Sequence, residues 1–253
     1  MTEDLFRSDA YLRECEARVL RVNVEEGGIV LDRTVFYPQG GGQAGDSGVL
    51  LAPGGLQIVI ADSRKARRED GQPSADILHV PAPGQAEALA ALRPGDAVTA
   101  QIDWARRHKL MRFHTATHLL CHLVPQPVDG CSITPAYARL DFHMTDPLDK
   151  DALTEGLARL VEEAHALEVG AISEAELDAN PALVRSMSVQ PPRGSGRVRT
   201  IRIGGGRDGQ PHIDYQPCGG THVANTREIG AVVVSKIEKK SAHTRRVVLG
   251  WAA

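Results

Sequence analysis

Arg112–His122 reads RFHTATHLLCH, and its histidines are the first residues in the chain whose spacing suggests chemistry. His114 and His118 stand four apart, so on a helix they project from one face a single turn apart and two ring nitrogens can face one ion. His122 continues the row, which leaves His118 with His122 as a second pair of the same spacing. The pattern is that of helical zinc sites without the glutamate of the protease motif. Taken alone, such a pair is more often a set of satisfied polar residues. Two imidazoles do not close a coordination shell, so a metal site needs a second half elsewhere.

That half is offered by PCGGTHVANT, Pro217–Thr226. Cys218 supplies a soft thiolate and His222 follows four residues later. Gly219 and Gly220 between them allow the tight backbone that would turn both side chains to one point. Nitrogen and sulfur donors together favour zinc over magnesium or calcium. The bland alternatives are a buried free cysteine at Cys218 and a turn histidine at His222. Four protein ligands normally close a structural zinc site, whereas a catalytic zinc keeps one position for water; both roles stay open at this point. A third segment, TVFYPQGGGQAGDSG from Thr34 to Gly48, combines three consecutive glycines with Gln43, a donor and an acceptor. No Lys-Ser/Thr follows and no helical pattern begins there, so it is not a phosphate-binding loop. Its plain alternative is a hairpin or β-bulge.

The elements that must position these residues follow from the patterning. RVLRVNV, GIVLDRTVFY, GVLLAP and LQIVIADSRK are short apolar or alternating runs broken by EEGG, PQGGGQAGDSG and PGG. They predict strands and hairpins, with LRPGDAVTAQIDW adding another. From Arg107 to Val124 the apolar residues Leu110, Met111, Phe113, Ala116, Leu119, Leu120 and Leu123 recur at helical spacing. A second helix is predicted from Lys150 to Leu167, N-capped by Asp149, with His165 near its C-terminal end. SEAELDANP predicts a short third helix after Ser173, stopped near Pro181. RVRTIRI, AVVVSKIEKK and RRVVLGWA return to β. The expected fold class is α+β: an N-terminal small β-barrel-like domain, residues 1–103, followed by an α+β zinc-containing domain, residues 104–253.

The 253 residues are 42% hydrophobic and 24% charged, a globular composition. Apolar runs are too short to span a bilayer and the acidic N-terminus is no signal peptide, so no membrane association and a cytoplasmic location are expected. The four cysteines show no disulfide framework. A net charge of −3 argues against a generic nucleic-acid coat. Arg193, Arg197, Arg199, Arg202 and Arg207 nevertheless cluster, as do Lys236, Lys239, Lys240, Arg245 and Arg246. They are either solvated faces or a phosphate-contacting surface.

FYPQGGGQAGDSG, RFHTATHLL and PCGGTHV, in this order, closely resemble the alanyl-tRNA editing family, the editing domain of alanyl-tRNA synthetase and its free-standing relatives, AlaX. ARLDFHM (Ala138–Met144), VRTIRIG and EIGAVVVSKIEKK…RRVVL extend the resemblance over nearly the whole chain. The metal motifs are shared with the threonyl enzyme's editing domain; the glycine-rich motif points to the alanyl branch. The length leaves no room for an aminoacylation domain, so a free-standing factor of the medium-length kind is expected. Residue by residue, the resemblance places Zn2+ ligands on His114, His118, Cys218 and His222. The family often has Glu where this chain has Gln39, while the following GGGQ is intact. The implied activity is hydrolysis of the ester joining serine, and perhaps glycine, to alanine tRNA, an error that the synthetase's alanine pocket does not readily reject. Gln43 is the candidate for positioning water or substrate. Thr34 is the candidate for sensing the serine hydroxyl, and Gly41, Gly42, Arg139 and Asp141 are the further substrate-binding candidates. The basic segments would meet tRNA phosphates. The alternatives are a zinc-stabilised tRNA-binding module without hydrolysis, and a zinc hydrolase for another aminoacyl-tRNA ester; oligomeric state is open.

Overall fold

The computed structural model describes residues 1–23, 27–68, 70–191, 193–194, 196–205 and 211–252. The chain is α+β, as expected, and divides into two compact units. The first holds Met1–Gly40 and Ala44–His108; the second holds Gly41–Gln43 and everything from Lys109 onward.

The first unit contains β1 (Glu3–Asp4), β2 (Glu14–Asn23), β3 (Gly28–Leu31), β4 (Arg33–Thr34), β5 (Gly48–Leu51), β6 (Gln57–Arg67), β7 (Pro73–Pro81), the short helix α1 (Ala86–Ala91) and β8 (Ala97–Ile102). Six strands pair in the order β2-β3-β7-β6-β5-β8, and β8 pairs back onto β2, so the sheet closes into a ring. Period-two alternation drives this: Val98, Ala100 and Ile102 of β8 and Ile58 and Ile60 of β6 point inward with Leu31, Phe36 and Leu50. β1 and β4 form a separate short parallel pair. The glycine-rich segment leaves this unit through a closed neck. Tyr37 N–H donates to Asp46 Oδ2 at 2.6 Å, and Asp46 N–H donates to the Tyr37 carbonyl at 3.0 Å. Fully buried Arg107 donates through Nε to both Asp46 oxygens at 3.0 and 2.9 Å and through Nη1 to the Ala10 carbonyl at 2.9 Å. A buried pair of this kind specifies the loop ends, because removing either partner strands a charge.

Helix α2 (Trp104–Leu123) starts in the first unit and ends in the second. Every residue from Phe113 to Cys121 is buried, so the helix is enclosed on all sides there and its polar side chains must find partners inside. The second unit continues with β9 (Val128–Ile133), β10 (Ala138–His143), α3 (Lys150–Glu162), β11 (Leu167–Ser173), α4 (Glu174–Ala179), β12 (Arg197–Ile203), β13 (Asp214–Pro217), β14 (Val232–Ser241) and β15 (Thr244–Trp251). An antiparallel sheet runs β14-β15-β10-β9 and a second runs β11-β12-β13. Helix α3 packs on β14, where Val234 N–H donates to Thr154 Oγ1 at 3.1 Å.

Asp149 caps α3 as expected, accepting from Asp151 N–H and Ala152 N–H at 2.9 and 3.0 Å. The predicted run to Leu167 is corrected: α3 stops at Glu162, and Leu167 opens β11. Ala164 takes φ of 56°, which no helix continues. Beyond it His165 N–H donates to Thr226 Oγ1 at 2.9 Å and Leu167 N–H to the Ala224 carbonyl at 2.9 Å, so tertiary partners take over the helical stripe. α4 forms after Ser173 with a full capping box between Ser173 and Glu176. No helix among the described residues is long and apolar enough to cross a membrane.

Candidate metal centre

His114, His118, Cys218 and His222 come together, their ligand atoms all within 4.8 Å of one another. His122 is not part of the group; its Nδ1–H donates to the Ile213 carbonyl at 2.8 Å. The three member rings are nearly shut off from solvent, each at most 6% exposed.

Each ring is held from outside by a different partner. His114 Nδ1–H donates to Gln43 Oε1 at 2.7 Å. Gln43 is itself fully buried: its Nε2 donates to Thr221 Oγ1 at 2.9 Å and its Oε1 also accepts from Thr221 N–H at 3.2 Å. His118 Nδ1–H donates to Asp214 Oδ2 at 2.7 Å, and Gln216 Nε2 donates to the same oxygen at 2.9 Å. His222 Nδ1 lies 3.2 Å from Thr115 Oγ1, which also accepts from Val223 N–H at 3.3 Å. With every Nδ1 engaged outward, Nε2 is the ring atom left to face the centre, an arrangement that metal-binding histidines adopt.

Cys218 Sγ lies 3.4 Å from His114 Nε2 and 3.2 Å from His222 Nε2. Two bonds of about 2.0 and 2.3 Å meeting at a tetrahedral angle set nitrogen and sulfur about 3.5 Å apart, so the donor set fits a zinc-sized ion. The loop carrying Cys218 is tied to β12: Arg199 Nη1 donates to the Cys218 and Gly220 carbonyls at 2.7 and 3.0 Å. Gly220 has a steric reason. A Cβ there would stand 2.1 Å from His114 Cε1 and 2.8 Å from Gln43 Oε1.

The electrostatics are those of a site that gathers charge. Burial disfavours the Cys218 thiolate, but the neighbouring imidazoles of His114 and His222 hold its pKa well below the ordinary thiol value. Burial likewise works against charge on His118, yet the Asp214 carboxylate, with Cys218, outweighs it and raises the ring to about 10. His222 is pushed well below its usual value by burial and by the His114 charge.

The other sequence candidates are not among the four clustered donors. Thr34 belongs to the first unit, fully buried, its Oγ1 2.8 Å from His79 Nε2 and accepting from Phe36 N–H at 3.1 Å. Gly41 and Gly42 precede Gln43 with φ of 57° and 85°, and the Gly42 carbonyl accepts from Ile133 N–H at 2.8 Å. Arg139 and Asp141 pair with each other at 2.7 Å, and Arg246 joins Asp141 at 2.7 and 2.8 Å. Much of the basic clustering is likewise paired, Arg193 with Asp178, Arg202 with Glu168 and Lys236 with Glu238. Arg207 lies outside the described residues. Sequence reasoning missed Asp214, Thr115 and Thr221. Thr115 sits between the two clustered histidines in HTATH, and Asp214 sits four residues before Cys218; neither position carries a signal of its own.

Comparison with known proteins adds independent findings. Residues 198–248 match the family described as threonyl and alanyl tRNA synthetase second additional domain, and residues 10–106 match class II (A) tRNA synthetases. The chain is 34% identical to the alanyl-tRNA editing protein AlaX-M of Saccharolobus solfataricus over 98% of both chains. It is 32% identical to that of Methanosarcina acetivorans, again over 98% of both. It is also 35% identical to the alanine–tRNA ligase of Pyrobaculum neutrophilum, with 94% of this chain spanning 25% of the ligase.

Proposed function

The chain belongs to the alanyl-tRNA editing protein family, AlaX, and from that premise we propose that it hydrolyses serine, and with it glycine, from mischarged alanine tRNA, using Zn2+ held by His114, His118, Cys218 and His222. The observation that carries this reading is the intact four-ligand cluster in a chain similar from end to end to free-standing editing proteins. In the reaction a water adds to the ester carbonyl and the ribose oxygen leaves with a proton, which yields free amino acid and tRNA. Zinc, when bound, supplies Lewis-acid polarisation or a more acidic water.

The residues of the chain do the positioning. Asp214 fixes the His118 ring and makes it a stronger donor; Gln43 does the same for His114 with a neutral amide. Because both ends of the Gln43 amide are engaged, Gln43 acts in this reading through His114, as a positioning residue. Gly220 keeps the His114 ring space open.

A deacylation time course on protein of known zinc content tests the proposal, with Ser-, Gly- and Ala-charged alanine tRNA as substrates and Ser-charged serine tRNA as control. Rapid loss of serine from alanine tRNA with alanine left intact is the expected result. One feature favours a second reading: four protein donors are the number that closes a structural zinc site. A zinc-loaded protein that binds tRNA without turnover would establish that binding module instead.

A further inference from the structure

Arg199 belongs to the basic run of β12, yet its guanidinium is turned onto the loop that carries Cys218. This one residue holds Cys218 by both of its peptide bonds. The Arg199 carbonyl accepts the Cys218 N–H at 3.2 Å, and Arg199 Nη1 donates to the Cys218 carbonyl at 2.7 Å. The same Nη1 donates to the Gly220 carbonyl at 3.0 Å, so two carbonyls two residues apart converge on one cation. Backbone N–H groups of this loop face the clustered donors and their partner. Gly220 N–H points at Cys218 Sγ from 3.5 Å. Thr221 N–H donates to Gln43 Oε1 at 3.2 Å, and that oxygen also receives the His114 Nδ1–H.

The charge makes this more than a loop tie. A guanidinium on a carbonyl polarises that peptide unit, and the N–H at its other end becomes a better donor. The Gly220 carbonyl shares its peptide with Thr221 N–H, so the influence of Arg199 reaches Gln43 and, through it, His114. On the other side, the curl that Arg199 imposes brings Gly220 N–H to the sulfur, and hydrogen bonds around a ligand sulfur tune the metal it holds. Arg202, three residues further along the strand, makes the contrast: its guanidinium pairs with Glu168 of β11. We infer that Arg199 is a positioning residue of the metal centre, which sets the Cys218 sulfur and the Gln43–His114 pair in place for the ion. The inference rests on the metal reading above and adds to it a residue that donates nothing to the ion itself.

The test compares the full-length wild type with Arg199→Gln, Arg199→Lys and Arg202→Gln, without any measurement of turnover. Zinc affinity is read by chelator competition, and the Co2+-loaded proteins are read by their sulfur-to-cobalt charge-transfer absorption. Arg199→Gln should bind zinc about 10–100-fold more weakly and shift or weaken the charge-transfer band. Arg199→Lys keeps the charge but loses the planar fork, and should fall between that variant and the wild type. Arg202→Gln removes a charge from the same strand and should match the wild type in both readings. Circular dichroism shows which variants are folded; if Arg199→Gln is not, Arg199→Lys carries the same comparison. Wild-type affinity and an unchanged band in the folded Arg199 variant overturn the inference. An equal fall in Arg202→Gln also overturns it, because the cause would then be the stability of β12. A wild-type chain that takes up neither ion fails the metal reading and this inference with it, whereas normal uptake with unaffected variants fails this inference alone.

Discussion

His79 in the first unit and His118 in the second are both shut away from water, yet their pKa values are pushed in opposite directions. His79 gives its Nδ1–H to the Ile29 carbonyl at 3.0 Å and faces the Thr34 hydroxyl with Nε2; burial lowers it to about 4. His118 gives its Nδ1–H to a carboxylate and is raised to about 10 despite the same desolvation. The difference lies in one acceptor. A carbonyl lets the ring stay neutral as a packing element of the ring-closed sheet, whereas a carboxylate raises the ring's basicity and so makes Nε2 a stronger donor wherever an ion displaces its proton.

The largest way to break the comparison is to remove a ligand. His118→Ala or Cys218→Ser should take bound zinc from one per chain to near none and cut deacylation at least about 100-fold, measured by metal analysis and single-turnover hydrolysis. Full activity in a zinc-free variant would remove the metal from the chemistry. His79 gives the next effect, on stability. Its folded pKa lies below the ordinary 6.5, so the unfolded chain binds the extra proton. The stability it protects is therefore whole above pH 6.5 and is lost as pH falls toward 4, by roughly 3 kcal/mol at most. Urea unfolding between pH 7 and 4 should show that slope, and His79→Gln should flatten it; an unchanged slope would mean His79 is not buried neutral.

Asp214→Asn sharpens the contrast by giving His118 a neutral acceptor like that of His79. Zinc affinity should fall about 10–100-fold in a chelator competition, while the Co2+-loaded protein keeps its tetrahedral absorption band. Loss of that band would assign Asp214 to holding the fold rather than tuning the ligand. The smallest effect is a control that touches neither histidine: Ser173→Ala breaks the α4 capping box and should cost about 1 kcal/mol with zinc content unchanged.

What the sequence made legible was local. His114 with His118, and Cys218 with His222, are each four residues apart, and regular helical or turn spacing is enough to pair them. The alternating strands of the first unit and the capped starts of α3 and α4 were readable for the same reason. The groups that fix the rings are not local: Asp214 reaches His118 across 96 residues and Gln43 reaches His114 across 71. The end of α3 was hidden because its apolar spacing runs on past Ala164, where Thr226 and Ala224 claim the backbone. Strand β7, PSADILHVP, escaped because prolines bracket it, yet it supplies His79.

Gly41–Gln43 belong to the second unit although residues of the first stand on either side of them in the chain. Whoever cuts this protein at the obvious place, between His108 and Lys109, obtains a C-terminal fragment that carries all four clustered donors and leaves behind the amide that steadies one of them. The boundary of inheritance and the boundary of folding are therefore different boundaries. A splice, a truncation or a transplant of the C-terminal half works as a faithful copy only if a tripeptide from far upstream travels with it.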